Sequence, residues 1–275
     1  MEVLGEGPGC QDEVRILNKI VRWTPEGIDL EADPRHAEIV VRDLGLESAK
    51  PSRVPGTKAA HVKKTVEDED EKTKEILVLD AIEDVEAPLK SEGETSETQK
   101  GGDGKVPGGD GDSEEELNPE EARKYRAIAA RLNYVAADRP DIQFAVKEAA
   151  RVMSRPRIKD WPLLNKIGRY LRGRPRLILR FPWQVLQSVV TGYTDSDWAG
   201  CSRTAKSTSG GIVTIGDHVI KTYSRQQKVI ALSSAEAELY AMVAASAETL
   251  AIAAYAKDLG MELQGEIYTD SSTAL

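Results

Sequence analysis

Cysteine and histidine are scarce in this chain, with two of the first and three of the second among 275 residues. Cys10 and Cys201 lie far apart, with no second cysteine or histidine at metal-ligand spacing. That excludes a disulfide framework and the usual zinc patterns, and the two thiols read as idle groups in a reducing compartment. His36, His61 and His218 are scattered, and a histidine does chemistry only with oriented partners, so each reads as a surface or packing residue. No uninterrupted apolar run approaches the roughly 18 residues that cross a bilayer. The opening MEVLGEGPG lacks the basic start and apolar stretch of a signal peptide. The expectation is an intracellular protein, cytoplasmic or nuclear, with no membrane partner.

The chain does hold 40% hydrophobic and 30% charged residues, an ordinary globular mixture. Its net charge of -9 is unevenly spread. Residues 61–118 carry 19 acidic and 7 basic side chains, whereas 147–180 carry 11 Lys and Arg against Glu148 and Asp160. The second stretch is where a phosphate backbone would be held, with Arg169, Arg172 and Arg174 as candidate contacts. Trp161, Tyr170 and Trp183 interleave with it and suit base stacking, although helical spacing favours the core for them.

Composition divides the chain into four parts: 1–50, 51–118, 119–182 and 183–275. In the first, EVRILNKIVRW and GIDLEADPRHAEIVVRDLGL read as a short strand pair and a helix over about 34–44. Asp33 is placed to cap that helix, Pro34 opens it and Gly45 stops it. The second part is dense in Glu, Gly, Ser and Lys and buries too little apolar surface to offset chain entropy, so it reads as a disordered acidic linker. Its one apolar island is EILVLDAI. In the third, Asn118 and Pro119 open a helical block whose apolar residues recur at three and four spacing: Tyr125, Ile128, Ala129, Leu132; Ile142, Ala145, Val146, Ala149; Leu164, Ile167, Tyr170, Leu171. Arg139-Pro140 and Arg155-Pro156 separate its helices.

The last part changes period. SVVTGYTDSDW reads as a strand, GGIVTIGDHVIKTYS as two strands turning at Gly216-Asp217, and KVIAL as a further strand. An alanine-rich helix over about 234–258 follows, closed by Gly260, and then a strand, GEIYTD, parallel to the first by the right-handed crossover rule. The fold class is therefore α/β, a mixed sheet with a crossover helix. The chain stops at Leu275, directly after that strand, and the reading expects a domain that continues.

Three carboxylates in this part fall where such a topology brings them together: Asp195 on the first strand, Glu238 near the helix start and Asp270 at the end of the last strand. Gathered carboxylates repel one another and favour a divalent cation, and a pair of ions could cleave a phosphodiester. Ser233 with Glu236 forms a capping box, which occupies Glu236 and leaves Glu238 free to project. Asp195 and Asp197 share a strand face; if the strand runs only through Thr194 and its neighbour, Asp197 falls in the turn before Trp198-Ala199-Gly200.

YTDSDWAGCSRTAKSTSGGIVTIGDHVIKTYSRQQKVIALSSAEAELYAM, continued by IYTDSSTAL, resembles the ribonuclease H domain of copia-type retrotransposon Pol polyproteins. YRAIAARLNYVAADRPDIQFAVKEAARVMSRP and WPLLNKIGRYLRG resemble the segment before that domain, so the likeness covers 118–275 and, more weakly, 14–46, which is similar to the end of the reverse transcriptase region. The resemblance implies a ribonuclease H-like fold and hydrolysis of the RNA strand of RNA–DNA hybrids. It makes Asp195, Glu238 and Asp270 the catalytic, metal-binding acids for two Mg²⁺ or Mn²⁺ ions. It sets Ser207, Ser209 and Gly210, with Gln226 and Gln227, near the hybrid backbone, though a turn or capping role suits these polar residues equally. The remaining reverse transcriptase and integrase parts of such a polyprotein would be partners. Tyr223 and Arg225 stand where that family's tryptophan and lysine are expected. The family's fourth acid is expected after Asp270, beyond Leu275, and no Tyr-x-Asp-Asp motif of a polymerase is present. The alternatives are a catalytically inactive remnant that binds nucleic acid, and a purely structural tether.

Overall fold

The computed structural model describes residues 3–56, 114–201 and 203–271. His61, EILVLDAI and most of the expected linker lie outside the described residues. Within them the chain is mixed α/β, with two sheets and five α-helices.

The first sheet has the order β1 (Glu13–Ile16), β2 (Lys19–Thr24), β3 (Gly27–Glu31), β4 (Ile178–Pro182), all antiparallel. EVRILNKIVRW folds back on itself as a hairpin because Leu17 and Asn18 both take left-handed backbone conformations, φ 50° and 66°, the geometry of a tight turn between twisted strands. The expected strand pair is thus three strands, joined by a fourth from far along the chain. Asp29 and Glu31 on β3 are buried and face Arg180 and Arg176 on or beside β4. Arg180 donates to both oxygens of Asp29, at 2.8 and 2.9 Å.

Helix α1 (Pro34–Asp43) begins as the sequence dictates, with Asp33 accepting from the Arg35 amide at 3.0 Å and Gly45 at φ +69° past its end. Helix α2 (Pro119–Ala136) is capped by Asn118, which accepts from the Glu121 amide at 2.9 Å. With α3 (Gln143–Arg151) and α4 (Trp161–Gly173) it forms the larger core. Every apolar residue picked out by periodicity in this block is buried, together with Ala37, Val40, Val41 and Leu44 of α1 and its C-terminal end. The margins of the expected linker join this core: Leu117 is buried in it, and its amide donates to Pro156 O at 3.0 Å. Trp161 and Tyr170 are buried, while Trp183 is half-exposed against Trp23.

The second sheet has the order β7 (His218–Gln226), β6 (Thr208–Ile215), β5 (Val189–Asp197), β8 (Gln264–Tyr268). β5 to β7 are antiparallel and β8 is parallel to β5, reached through α5 (Ser234–Asp258). Gly216 makes the hairpin turn at φ +56°, and Gly260 ends α5 at φ +80°. KVIAL is not a strand. Thr208 opens β6 and is the last partner of β7, at Gln226, so the ladder has no neighbour beyond it. Carbonyls there are satisfied by side chains instead: Lys206 donates to Lys228 O and Trp198 to Ala231 O.

α5 packs on this sheet through Ala237, Glu238, Ala241, Ala245, Thr249 and Ala256. By length and composition it also passes as a helix able to cross a membrane, which the count of uninterrupted apolar residues overlooks because single polar residues punctuate it. Leu239, Val243, Leu250 and Tyr255 are exposed on its outer side.

Candidate metal centre

Register brings the first two acids together. β5 and β8 pair in parallel from Val189↔Gln264 to Tyr193↔Tyr268, where the two rings stack with centroids 5.5 Å apart. Asp195 and Asp270 each lie two residues beyond that last pair, Asp195 still within β5 and Asp270 just past the end of β8, on neighbouring chains about 4.8 Å apart. The third comes from the helix. Ser233 accepts from the Glu236 amide at 3.1 Å, and Glu236 in turn accepts from the Leu232 amide at 2.7 Å and the Tyr240 hydroxyl at 3.2 Å. The cap holds Glu236 at the helix entry, and Glu238 turns toward β5.

One carboxylate oxygen from each of Asp195, Glu238 and Asp270 lies within 4.8 Å of the others. Asp195 and Asp270 are exposed and Glu238 is buried. Glu238 Oε1 accepts two bonds from Ser196, at 3.1 Å from the amide and 2.7 Å from the hydroxyl. Its Oε2 is buried without a hydrogen-bond partner among the described residues. A buried carboxylate oxygen left unpartnered is expensive, and two unit charges 4.8 Å apart repel by roughly 0.9 kcal/mol even in water. Cations on the neighbouring elements β7 and α3 are paired with other acids: Lys221 and Arg225 with Glu248, and Lys147 with Glu148. The donor set is thus all oxygen and acidic, which suits a hard divalent ion such as Mg²⁺ or Mn²⁺. At metal–oxygen distances of about 2.1 Å, oxygens around one ion lie about 3.0 Å apart when adjacent and about 4.2 Å apart when opposite, so side-chain rotations that move these oxygens by about an ångström bring the set onto a shared ion.

Asp197 does not join it. β5 runs through Asp197, further than the sequence suggested, and its carboxylate folds into the following turn, where a Cβ on Gly200 would lie 1.9 Å from Oδ2. Ser207 and Ser209 are buried: the Ser207 hydroxyl accepts from the Ala199 amide at 3.1 Å and that of Ser209 from Gln227 at 3.0 Å. Gln227 also donates to Ala237 O at 2.9 Å, tying the end of β7 to the first turn of α5. Gln226 donates to Thr204 at 3.3 Å. These residues hold the loops around the acids. Tyr223 is buried under Gly211, and burial pushes its hydroxyl pKa up; Arg225 lies over its ring.

The basic stretch is largely engaged inside the fold. Arg169 donates to Lys50 O at 2.7 Å, and Arg172 to the carbonyls of Glu47 and Ala49. Arg157 and Lys159 pair with Glu114, and Arg174 lies over the Tyr170 ring. His36 packs at a tilt against the Tyr134 ring and contacts Arg131 and Asp33, and His218 bonds Pro182 O at 2.8 Å, so both serve the fold. Sequence reasoning missed Ser196; its only signal was alternation, which turns it toward the helix side with Val190, Gly192 and Thr194.

No family model and no solved structure matches the chain. Among curated proteins it is similar to the retrovirus-related Pol polyprotein from transposon RE2 of Arabidopsis thaliana, 35% identical over 151 residues, which are 54% of this chain and 10% of that protein. It is similar to that from transposon RE1 of the same plant, 36% identical over 140 residues, 51% of this chain and 10% of that protein. A third relative is the Pol polyprotein from transposon TNT 1-94 of Nicotiana tabacum, 31% identical over 163 residues, 59% of this chain and 12% of that protein. The matches span about a tenth of the length of these relatives.

Proposed function

From its similarity to retrovirus-related Pol polyproteins of plant transposons, we propose that the chain derives from a copia-type Pol polyprotein and that its second sheet with α5 is a ribonuclease H-like module that hydrolyses the RNA strand of RNA–DNA hybrids. The observation that carries this reading is the convergence of Asp195, Glu238 and Asp270 within 4.8 Å, around a buried Glu238 oxygen with no partner. These three carboxylates would hold the ions, two of Mg²⁺ or Mn²⁺. Divalent cations there supply Lewis-acid activation of a water and charge neutralisation at the leaving oxygen of a phosphodiester.

The protein's own part is placement. Glu238 is fixed from the buried side by Ser196, while Asp195 and Asp270 stand exposed beyond the β5–β8 pairing, where a nucleic-acid backbone can approach. Of the arginines at the end of α4, Arg174 is the proposed hybrid contact, together with Gln226 on β7, while Arg169 and Arg172 act by tying that end to the carbonyls of Lys50, Glu47 and Ala49 and Ser207 and Ser209 by shaping the loop under Gln227. In a polyprotein, the module would work beside reverse transcriptase and integrase parts.

Incubation with an end-labelled RNA–DNA hybrid in Mg²⁺ tests the reading. RNA-strand products are expected from the wild type, abolished by EDTA and by Asp195→Asn, Glu238→Gln or Asp270→Asn. Salt-dependent hybrid binding without any metal-dependent product would overturn hydrolysis and favour the inactive nucleic-acid-binding reading.

A further inference from the structure

We infer that Ser196, between the two aspartates of β5, is a positioning residue that presents Glu238 to the cation; the inference rests on the metal-site reading above. β5 outruns β8 past Tyr193, and in that overhang the Ser196 amide donates to Glu238 Oε1 at 3.1 Å while its hydroxyl donates to the same oxygen at 2.7 Å. A carboxylate accepts at both oxygens and rotates freely about its last torsion. Two donors converging on Oε1 from one residue stop that rotation and leave Oε2, buried and unpartnered, as the free ligand atom. Donors that orient a metal ligand in this way commonly change metal affinity ten- to a hundredfold when removed.

Position 196 restricts the choice of residue. It lies on the face of β5 covered by α5, in alternation with Val190, Gly192 and Thr194, of which Val190 and Thr194 are buried. A long side chain there would lift the helix. Alanine would fit but keep only the amide bond. Serine, and threonine with it, fits and supplies the second donor.

The test is a Mn²⁺ titration of the full chain, followed by electron paramagnetic resonance, for wild type, Ser196→Ala, Ser196→Thr and Glu238→Gln, with thermal midpoints taken without metal. Ser196→Ala should bind Mn²⁺ about tenfold more weakly at an unchanged midpoint, with Ser196→Thr near wild type and Glu238→Gln weaker than either. Equal Mn²⁺ affinity in Ser196→Ala and wild type, with Glu238→Gln impaired, would overturn the role of Ser196 and leave the site standing. A weakened Ser196→Ala whose metal-free midpoint also falls, without rescue by threonine, would overturn it as well, as a folding effect. A wild type that takes up no Mn²⁺ would remove the site reading itself, and the inference with it.

Discussion

Gly192 on β5 and Thr249 on α5 meet so closely that a Cβ on Gly192 would lie 2.5 Å from Thr249 Oγ1 and 2.8 Å from Ile267 Cδ1. The absent side chain lets the helix settle onto the sheet, and the depth of that contact sets how near Glu238 comes to the strand ends. Gly192→Ala is expected to destabilise the chain by about 1–3 kcal/mol through overpacking and to weaken Mn²⁺ binding. Adding Thr249→Ala should restore part of the loss. A double-mutant cycle by chemical denaturation checks this, and strictly additive effects would contradict the contact.

Arg139, which looked from the sequence like a mere helix break beside Pro140, is fully buried. It bonds both oxygens of Asp141, at 2.9 and 2.7 Å, and the carbonyls of Arg174 and Pro175, at 3.0 and 3.3 Å. Tyr170 donates to the same Asp141 at 2.9 Å. Arg139→Ala should cost about 3–5 kcal/mol, because it strands a carboxylate and two carbonyls. Arg139→Lys should not rescue it, lacking the planar fork. Urea unfolding measures both, and a lysine variant as stable as wild type would contradict this role of the guanidinium.

The first sheet should be acid-sensitive. The Arg176 guanidinium holds the Glu31 carboxyl below its ordinary range, and Arg180 does the same for Asp29. A depressed folded-state pKa stabilises above the unfolded value, about 4.3 for Glu, and that stability disappears as pH falls through the folded value. Glu31→Gln is expected to lower stability at neutral pH by about 1–3 kcal/mol and to flatten the loss below about pH 4. Trp23 lies on this sheet beside Trp183 and reports through fluorescence; an unchanged acid limb in the variant would contradict the ion pairs.

Salt dependence separates arginines that hold the fold from those that grip phosphate. Arg172 donates to the carbonyls of Glu47 and Ala49, so Arg172→Ala should lower the thermal midpoint. Arg174 makes no such tie to the first segment, and Arg174→Ala should reduce the slope of log affinity against log salt by about 1 at an unchanged midpoint. A slope untouched by Arg174→Ala would remove that residue from the interface.

Local signals carried much of the fold. Asp33, Asn118 and Ser233 cap helices, Gly216 turns a hairpin, and apolar stripes mark buried faces, because each depends on neighbours within four residues. The pairing of Glu31 with Ile178 depends on chain closure across about 150 positions, which no periodicity records. KVIAL has strand composition but no neighbour to pair with among the described residues. At the candidate metal centre, topology and the capping box singled out the three acids, and the family resemblance gave them a role. Ser196 was not, since its role is set by the depth at which α5 lies on β5. The net positive stretch misled in part, because its partners Glu31, Asp29 and Glu114 lie far off in sequence.

Anomalous scattering from Mn²⁺-soaked crystals tests the central claim most directly. The account predicts an ion within about 2–2.5 Å of carboxylate oxygens from Asp195, Glu238 and Asp270. Crystals that bind Mn²⁺ elsewhere, with these three carboxylates standing apart, would contradict it.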